Sequence, residues 1–358
     1  MRRTDDHTET DNLLRDSARE FSVSLETAST AAPSDLKSWQ PYVEAGWPGM
    51  ALGEDDGGIG ADLTQCCIVL QEAGRALLKQ CVSADVLIAP RLAQYAPAIA
   101  DLMPDLLAGN ARFAFVLSND PELRENPDGL IEGQSKLVPG GDQATHIVLA
   151  VHAGDEMRLY LSLADANGLT AHLARLIDGR TAARFECSEL SASNLTLLAS
   201  GVKAREIADE LEALAICGMI SEGLGAFEAA FDMTVDYVQI RQQFKQPLAS
   251  FQAVEHIIAD VYCELEKFRS LHMALLSTLE KPGSFDAGAV ARARLCHAQN
   301  VLQATGKLIQ ISGGIALTEE YKLGRIYRRL QADAALFGGA RRAIDTIAGT
   351  ACRAAPIT

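Results

Sequence analysis

The sequence predicts a mainly α-helical protein with a central β domain, in the order helices, small β domain, helical bundle. Three observations predict it. The 358 residues suffice for two or three compact units. Hydrophobic residues make up 48% and aromatic ones only 6%, with alanine and leucine dominant, a balance that favours helices over an all-β sandwich. The apolar period also changes twice along the chain. These changes place an N-terminal α-helical domain at 1–112, a middle, barrel-like β domain at 113–204 and a C-terminal four-helix bundle at 205–358.

From about Asn12 to Gly109 the text is helical, broken by turns at Ala32-Pro33 and Gly57-Gly58. The pattern then shortens to apolar runs at Phe113–Leu117, Ile147–Val151, Leu159–Leu163 and Leu195–Leu198. Pro139-Gly140-Gly141 and Asn167-Gly168 separate them, so they read as strands. From about Arg205 the helical period returns. Ile220, Leu224, Phe227, Phe231, Val235 and Val238 share one helical face, as do Val254, Ile258, Val261, Leu265, Phe268, Leu275 and Leu279. A third helix follows Pro282-Gly283, capped by Ser284 or Asp286, and runs through Val290, Val301 and Leu308 to Gly313-Gly314. A fourth is expected from about Leu330 to Cys352. Several helices longer than the usual ~11–12 residues, in tandem, suggest an antiparallel bundle.

Net charge is −15 with no basic block, which argues against nucleic acid as a partner. A phosphate-bearing ligand would need local arginine or lysine against that field. The eight cysteines show no CxxC and no histidine at metal-ligand spacing; they read as reduced thiols, and no metal site is expected. MRRTDDHTETDN carries no apolar stretch of a signal peptide, and no apolar run approaches the ~20 residues of a membrane span. The expected compartment is the cytoplasm.

Three local texts carry chemistry. The first is Gly46-Trp47-Pro48-Gly49 with Glu54-Asp55-Asp56-Gly57-Gly58-Ile59-Gly60 and Gln71-Glu72-Ala73-Gly74-Arg75. The second is Arg241-Gln242-Gln243-Phe244, then Phe251-Gln252-Ala253-Val254 and Ala259-Asp260. The third is Gln310-Ile311-Ser312-Gly313-Gly314-Ile315-Ala316-Leu317-Thr318-Glu319. Each alone has a bland meaning: glycine pairs make turns, and a Gly-Gly after a long helix is usually a C-cap. Their order and spacing say more. Together they resemble the acyl-CoA dehydrogenase family, with its R-x-x-F-G, F-Q and A-D texts and its closing Q-x-x-G-G-x-G-x-T-x-E. The resemblance covers nearly the whole chain and is strongest to the shorter, divergent bacterial members, some of which form mixed complexes of two related subunits.

The resemblance implies bound FAD shared across a subunit interface, hence a dimer, a tetramer or a heterotetramer with a related chain. Arg241, Phe244, Phe251 and Gln252 would meet its pyrophosphate and adenosine, the arginine offering a forked donor set. Gln310, Gly313 and Gly314 would serve the neighbouring subunit's FAD, and Ser118 would approach the flavin ring. The implied reaction is α,β-dehydrogenation of an acyl-CoA thioester, with electrons passed to an electron-transfer flavoprotein or similar acceptor. It needs a carboxylate base whose pKa a dry site raises.

The departures fall on that base. Gly338 stands where the family's Y-E-G-T text has its glutamate. Some members carry the base on the first long bundle helix, and counting back from Arg241 reaches Ala215, followed by Ile216 instead of the family arginine. Glu212 lies one turn before Ala215. Glu222 lies two turns after it, on roughly the same face and ~10 Å further along. Glu222 is either a structural carboxylate or a displaced base. On the β domain, Lys136-Leu137-Val138-Pro139 lacks the tryptophan and hydroxyl that relatives present to the flavin, and Lys245 replaces the glycine after Phe244. Two readings follow: an FAD-dependent acyl-CoA dehydrogenase subunit, or a catalytically silent partner that completes a sister chain's flavin site. A different flavin oxidation on the same fold is a third. The acyl group is not legible: a steroid side chain, a dicarboxylic chain and a branched short chain all stay open.

Overall fold

The computed structural model describes residues 2–28, 38–117, 123–318 and 320–354. Helices α1 (Arg2–Ala28) and α2 (Leu63–Arg75) precede the strands, with shorter helical turns between them and β1. Asp62 caps α2, accepting from Gln65 N at 2.8 Å while the Gln65 side chain accepts from Asp62 N at 3.1 Å. The strands are β1 (Phe113–Val116), β2 (Leu123–Glu125), β3 (Leu130–Pro139), β4 (His146–Ala153), β5 (Glu156–Leu163), β6 (Leu169–Arg175), β7 (Thr181–Ser191) and β8 (Thr196–Ser200). They form one sheet in the order β6-β7-β3-β2-β4-β5-β8, with β1 parallel to β4.

Alternation along β4 shows why this sheet sits where it does. Ile147, Leu149 and Val151 point into a core internal to the β region, with Phe185 and Ile131. Val148 and Ala150 point the other way, into the large core that the sheet shares with the helices.

After the sheet come α3 (Gly201–Ile240), α4 (Gln252–Leu279), α5 (Ala287–Leu295), α6 (Leu302–Ser312), α7 (Lys322–Ala335) and α8 (Gly339–Ala354). A π-helical segment, Cys296–Val301, joins α5 to α6, so the expected third helix is continuous but bulged. Asp286 caps it, accepting from Gly288 N at 2.7 Å. The expected fourth helix is two helices. Phe337, Gly338 and Gly339 have φ of 50°, 85° and 61°, left-handed values that end α7 and restart the chain as α8. The turn expected at Ala32-Pro33 lies outside the described residues.

The apolar period of α3 predicts one buried face, yet every residue from 210 to 227 is buried. The sheet, α2 and the later helices cover it from different sides. α3 is long and apolar enough to cross a membrane by composition, but 83% of its most apolar window is buried inside the protein, so it is the central core helix.

Its contact with α2 is unusually close. A Cβ on Gly225 would lie 1.8 Å from Gln71 O, and one on Gly74 1.9 Å from Glu222 O. Backbone meets backbone, so nothing flexible can yield. Gly225→Ala is expected to cost about 3 kcal/mol or more by forcing the helices apart, read as a lowered urea midpoint.

Candidate active site

Where the sheet meets α3 and the α7–α8 junction, a cleft of about 990 Å³ opens. Phe115 and Leu117 line it from β1 and the residue beyond, Leu137 and Val138 from β3, Ala215 and Met219 from α3, and Phe337 from the kink. Its charged lining is Arg180, Glu212, Glu222, Asp333, Arg342 and Lys136.

Neither expected base position offers a carboxylate. Ala215 faces the cleft. Gly338 has a φ of 85°, and a Cβ there would lie 3.0 Å from Arg342 Cβ and Cδ. A glutamate at 338 would be strained in its backbone and crowded by that arginine.

Glu212 and Glu222 line the same cleft, as their shared helical face requires, but arginine holds each. Glu212 accepts from Arg342 Nη1 at 2.6 Å and Nη2 at 2.7 Å, a bidentate pair. Burial pushes its carboxyl up, and Arg342 pulls it part of the way back. Glu222 accepts from Arg329 Nη2 and stands 3.9 Å from Arg180 Nη1. Arg180 also binds Asp333, and its Nε donates to Asp178 at 2.5 Å. Arg329 donates to Asp333 at 3.2 Å and to Leu78 O at 3.0 Å.

Three carboxylates and two guanidiniums therefore share one dry pocket. Burial raises Glu222, outweighing the pull of Arg329 and Arg180. Burial opposes ionisation of Asp333 as well, yet Arg180 and Arg329 outweigh it and hold that carboxyl below its ordinary range. Among the described residues, every carboxylate lining the cleft is bound by arginine. Sequence reading missed this cluster, although Arg329 and Asp333, four residues apart in apolar text, were the available signal.

Next to the cluster, His297 is fully buried with no hydrogen-bond partner among the described residues on either ring nitrogen, and it stacks on Phe268 at 5.8 Å. Burial lowers it to about 4. Since the folded value lies below the unfolded one, the unfolded chain takes the proton first as pH falls. Stability present above ~6.5 is therefore lost as pH drops towards 4, by on the order of 3 kcal/mol. His297→Leu is expected to remove that part of the acid sensitivity in thermal unfolding between pH 7 and 4.5.

The expected cofactor residues lie on the outer surface. Arg241 ends α3; its N–H donates to Tyr237 O at 2.8 Å, and its carbonyl accepts from Leu248 N at 2.8 Å. That leaves the exposed guanidinium side free to face outward. A tight hairpin follows, pairing Gln243 with Gln246. Its two central residues, Phe244 and Lys245, have φ of 52° and 68°. Two-residue hairpins of this twist need positive φ at both positions, which explains why relatives use glycine where Lys245 stands. Phe244 is 87% exposed and meets Phe251 edge-on at 6.1 Å, directly before Gln252 starts α4.

Gln310, Gly313 and Gly314 form a second exposed patch at the end of α6, where a Cβ on either glycine would meet nothing within 4 Å. An arginine fork, an aromatic pair of exposed Phe244 and half-buried Phe251, and an open glycine turn fit the phosphate and adenosine parts of FAD. Ser118 lies outside the described residues, as do Asn119 and Asp120.

The family model of the acyl-CoA dehydrogenase C-terminal domain matches residues 212–351, and that of the N-terminal domain residues 8–99. The chain belongs to the acyl-CoA dehydrogenase family, FAD-dependent oxidoreductases acting on CH–CH bonds. It is 27% identical to the acyl-CoA dehydrogenase IpdE2 of Mycobacterium tuberculosis, over 87% of this chain and 85% of that protein. It is also 27% identical to the acyl-CoA dehydrogenase FadE34 of the same organism, over 95% of this chain but only 47% of that protein. Similar solved structures include a variant of the Tcur3481-Tcur3483 steroid ACAD, at 24% identity and a TM-score of 0.83, covering 97% of this chain and 98% of that one. The ChsE4-ChsE5 complex from Mycobacterium tuberculosis aligns at 19% identity and a TM-score of 0.81, covering 96% and 98%.

Proposed function

We propose that this chain is one subunit of a mixed acyl-CoA dehydrogenase, in which a related chain supplies the catalytic carboxylate. One observation carries the proposal: Ala215 and Gly338 offer no base, and the cleft's own carboxylates are bound by arginine. Bound FAD supplies the hydride acceptor and the redox chemistry. On this reading the chain's residues bind and orient: Arg241, Phe244, Phe251 and Gln252 hold one part of a shared FAD, while Gln310, Gly313 and Gly314 close a neighbour's. Electrons would pass to an electron-transfer flavoprotein or similar acceptor, in the cytoplasm.

The exposed side chains of Ile240 and Phe244, at the end of α3 and in the hairpin after it, favour a subunit interface there. That two structural neighbours, Tcur3481-Tcur3483 and ChsE4-ChsE5, carry paired names agrees with a two-chain assembly. A second reading keeps Glu222 as a displaced base, because it lines the cleft and burial raises its carboxyl. The two separate on purification. A colourless or sub-stoichiometric chain that becomes yellow and tetrameric on co-expression with a sister chain supports the mixed assembly. A yellow homo-oligomer that turns over acyl-CoA by itself contradicts it.

A further inference from the structure

Among the described residues, Arg294 on α5 is a buried cation without an anion. It is 3% exposed, its Nη1 reaches only the thioether of Met219 at 3.9 Å, and the Phe337 ring lies 5.8 Å from its Cζ. Nε and Nη2 have no hydrogen-bond partner. These are the two nitrogens of the guanidinium's side-on edge, the fork that takes both oxygens of a carboxylate. The acidic groups that influence Arg294 are already engaged: Glu212 by Arg342, and Asp333 by Arg180 and Arg329. Burial, then the charge of Arg342, lowers its pKa to about 10, so it remains charged at neutral pH.

A buried charge left unpaired is unfavourable, and proteins retain one where a ligand completes it. Space for a ligand is present. Arg294 lines an open recess between α3, α5 and α8, whose wall also includes Phe285, Val290 and Phe337. This recess adjoins the main cleft: Glu212, Phe337 and Arg342 line both.

We propose that Arg294 is the receptor for a carboxylate carried at the far end of the acyl chain, so that the ligand of this subunit is the thioester of a dicarboxylic acid. The proposal rests on the reading of the chain as an acyl-CoA dehydrogenase subunit and narrows the acyl class that reading leaves open.

The test uses the chain in the assembly in which it purifies. Adipoyl-CoA and its ω-methyl ester differ in the distal charge and by one methyl group. Adipoyl-CoA is expected to bind about 10–100-fold more tightly than the ester, a ratio that falls to near one in Arg294→Met and is partly kept in Arg294→Lys. Ligand-free Arg294→Met is expected to melt no lower than the wild type, because the substitution removes an unpaired buried charge; a merely structural arginine would give a lower midpoint. Equal binding of the two thioesters to the wild type overturns the proposal, and that comparison holds even if the methionine variant fails to fold. If neither thioester binds, the acyl-CoA reading fails, and free adipate decides the subsite: an Arg294-dependent thermal shift retains it, and no shift overturns it.

Discussion

Arg329→Met is expected to destabilise the protein by about 3–5 kcal/mol, enough to leave little folded chain in a domain of ordinary stability. Arg329 donates to Glu222, Asp333 and the carbonyl of Leu78, and all of these groups are shielded from solvent. Removing the guanidinium leaves three buried carboxylates facing Arg180 alone. Methionine has nearly the right length, so the loss measures charge and hydrogen bonding more than volume. Chemical denaturation of the variant reads it directly. The double variant Glu222→Gln, Arg329→Met should recover part of the loss, because it removes one stranded charge with its partner. A variant within about 1 kcal/mol of wild type would show that the cluster is not an interdependent unit.

Arg241→Ala is expected to behave in the opposite way: little change in the stability of the flavin-free chain and a large loss of cofactor. The Arg241 side chain is exposed, and the backbone of the residue bonds to Tyr237 and Leu248. Ionic hydrogen bonds to phosphate contribute about 1.5–3 kcal/mol each, so FAD retention should fall roughly 10- to 100-fold or more. The flavin-to-protein absorbance ratio after gel filtration measures it, and Phe244→Ser should add to the loss. If the ratio is unchanged while the melting temperature falls, Arg241 is a structural cap and not a cofactor ligand.

These two arginines differ in how far a sequence points to them. Arg241 stands at a fixed distance from Phe244, Phe251 and Gln252 on one local segment, so the sequence offers it as a candidate, and FAD retention tests its role. The long helices were legible because periodicity is local. The cluster around Arg329 was not, since it joins α3, α7 and the turn before β7 at sequence separations no period encodes. The close approach of α2 and α3 at Gly74 and Gly225 was hidden for the same reason: a glycine inside a helix reads as a weak point until its neighbour is known.

The break before α8 was readable in principle, with Gly338-Gly339 in the sequence, but the apolar spacing runs through it and outweighed that pair. Ala215 and Gly338 were identified as positions without a base from the sequence alone. The reason Gly338 cannot simply be restored, its positive φ and the Arg342 side chain against it, needed the structure. Arg294 was not singled out at all, because an arginine in helical text ordinarily reads as a solvated residue.

Anaerobic flavin reduction tests most directly whether this chain lacks its own base. The purified chain, loaded with FAD by itself, is mixed with excess acyl-CoA thioester under nitrogen, and the absorbance near 450 nm is followed. No bleaching by the chain alone, and full bleaching once the sister chain is present, is the result expected if the carboxylate comes from the partner. Rapid bleaching by the chain alone, abolished in a folded Glu222→Gln variant, would contradict that and make Glu222 the base.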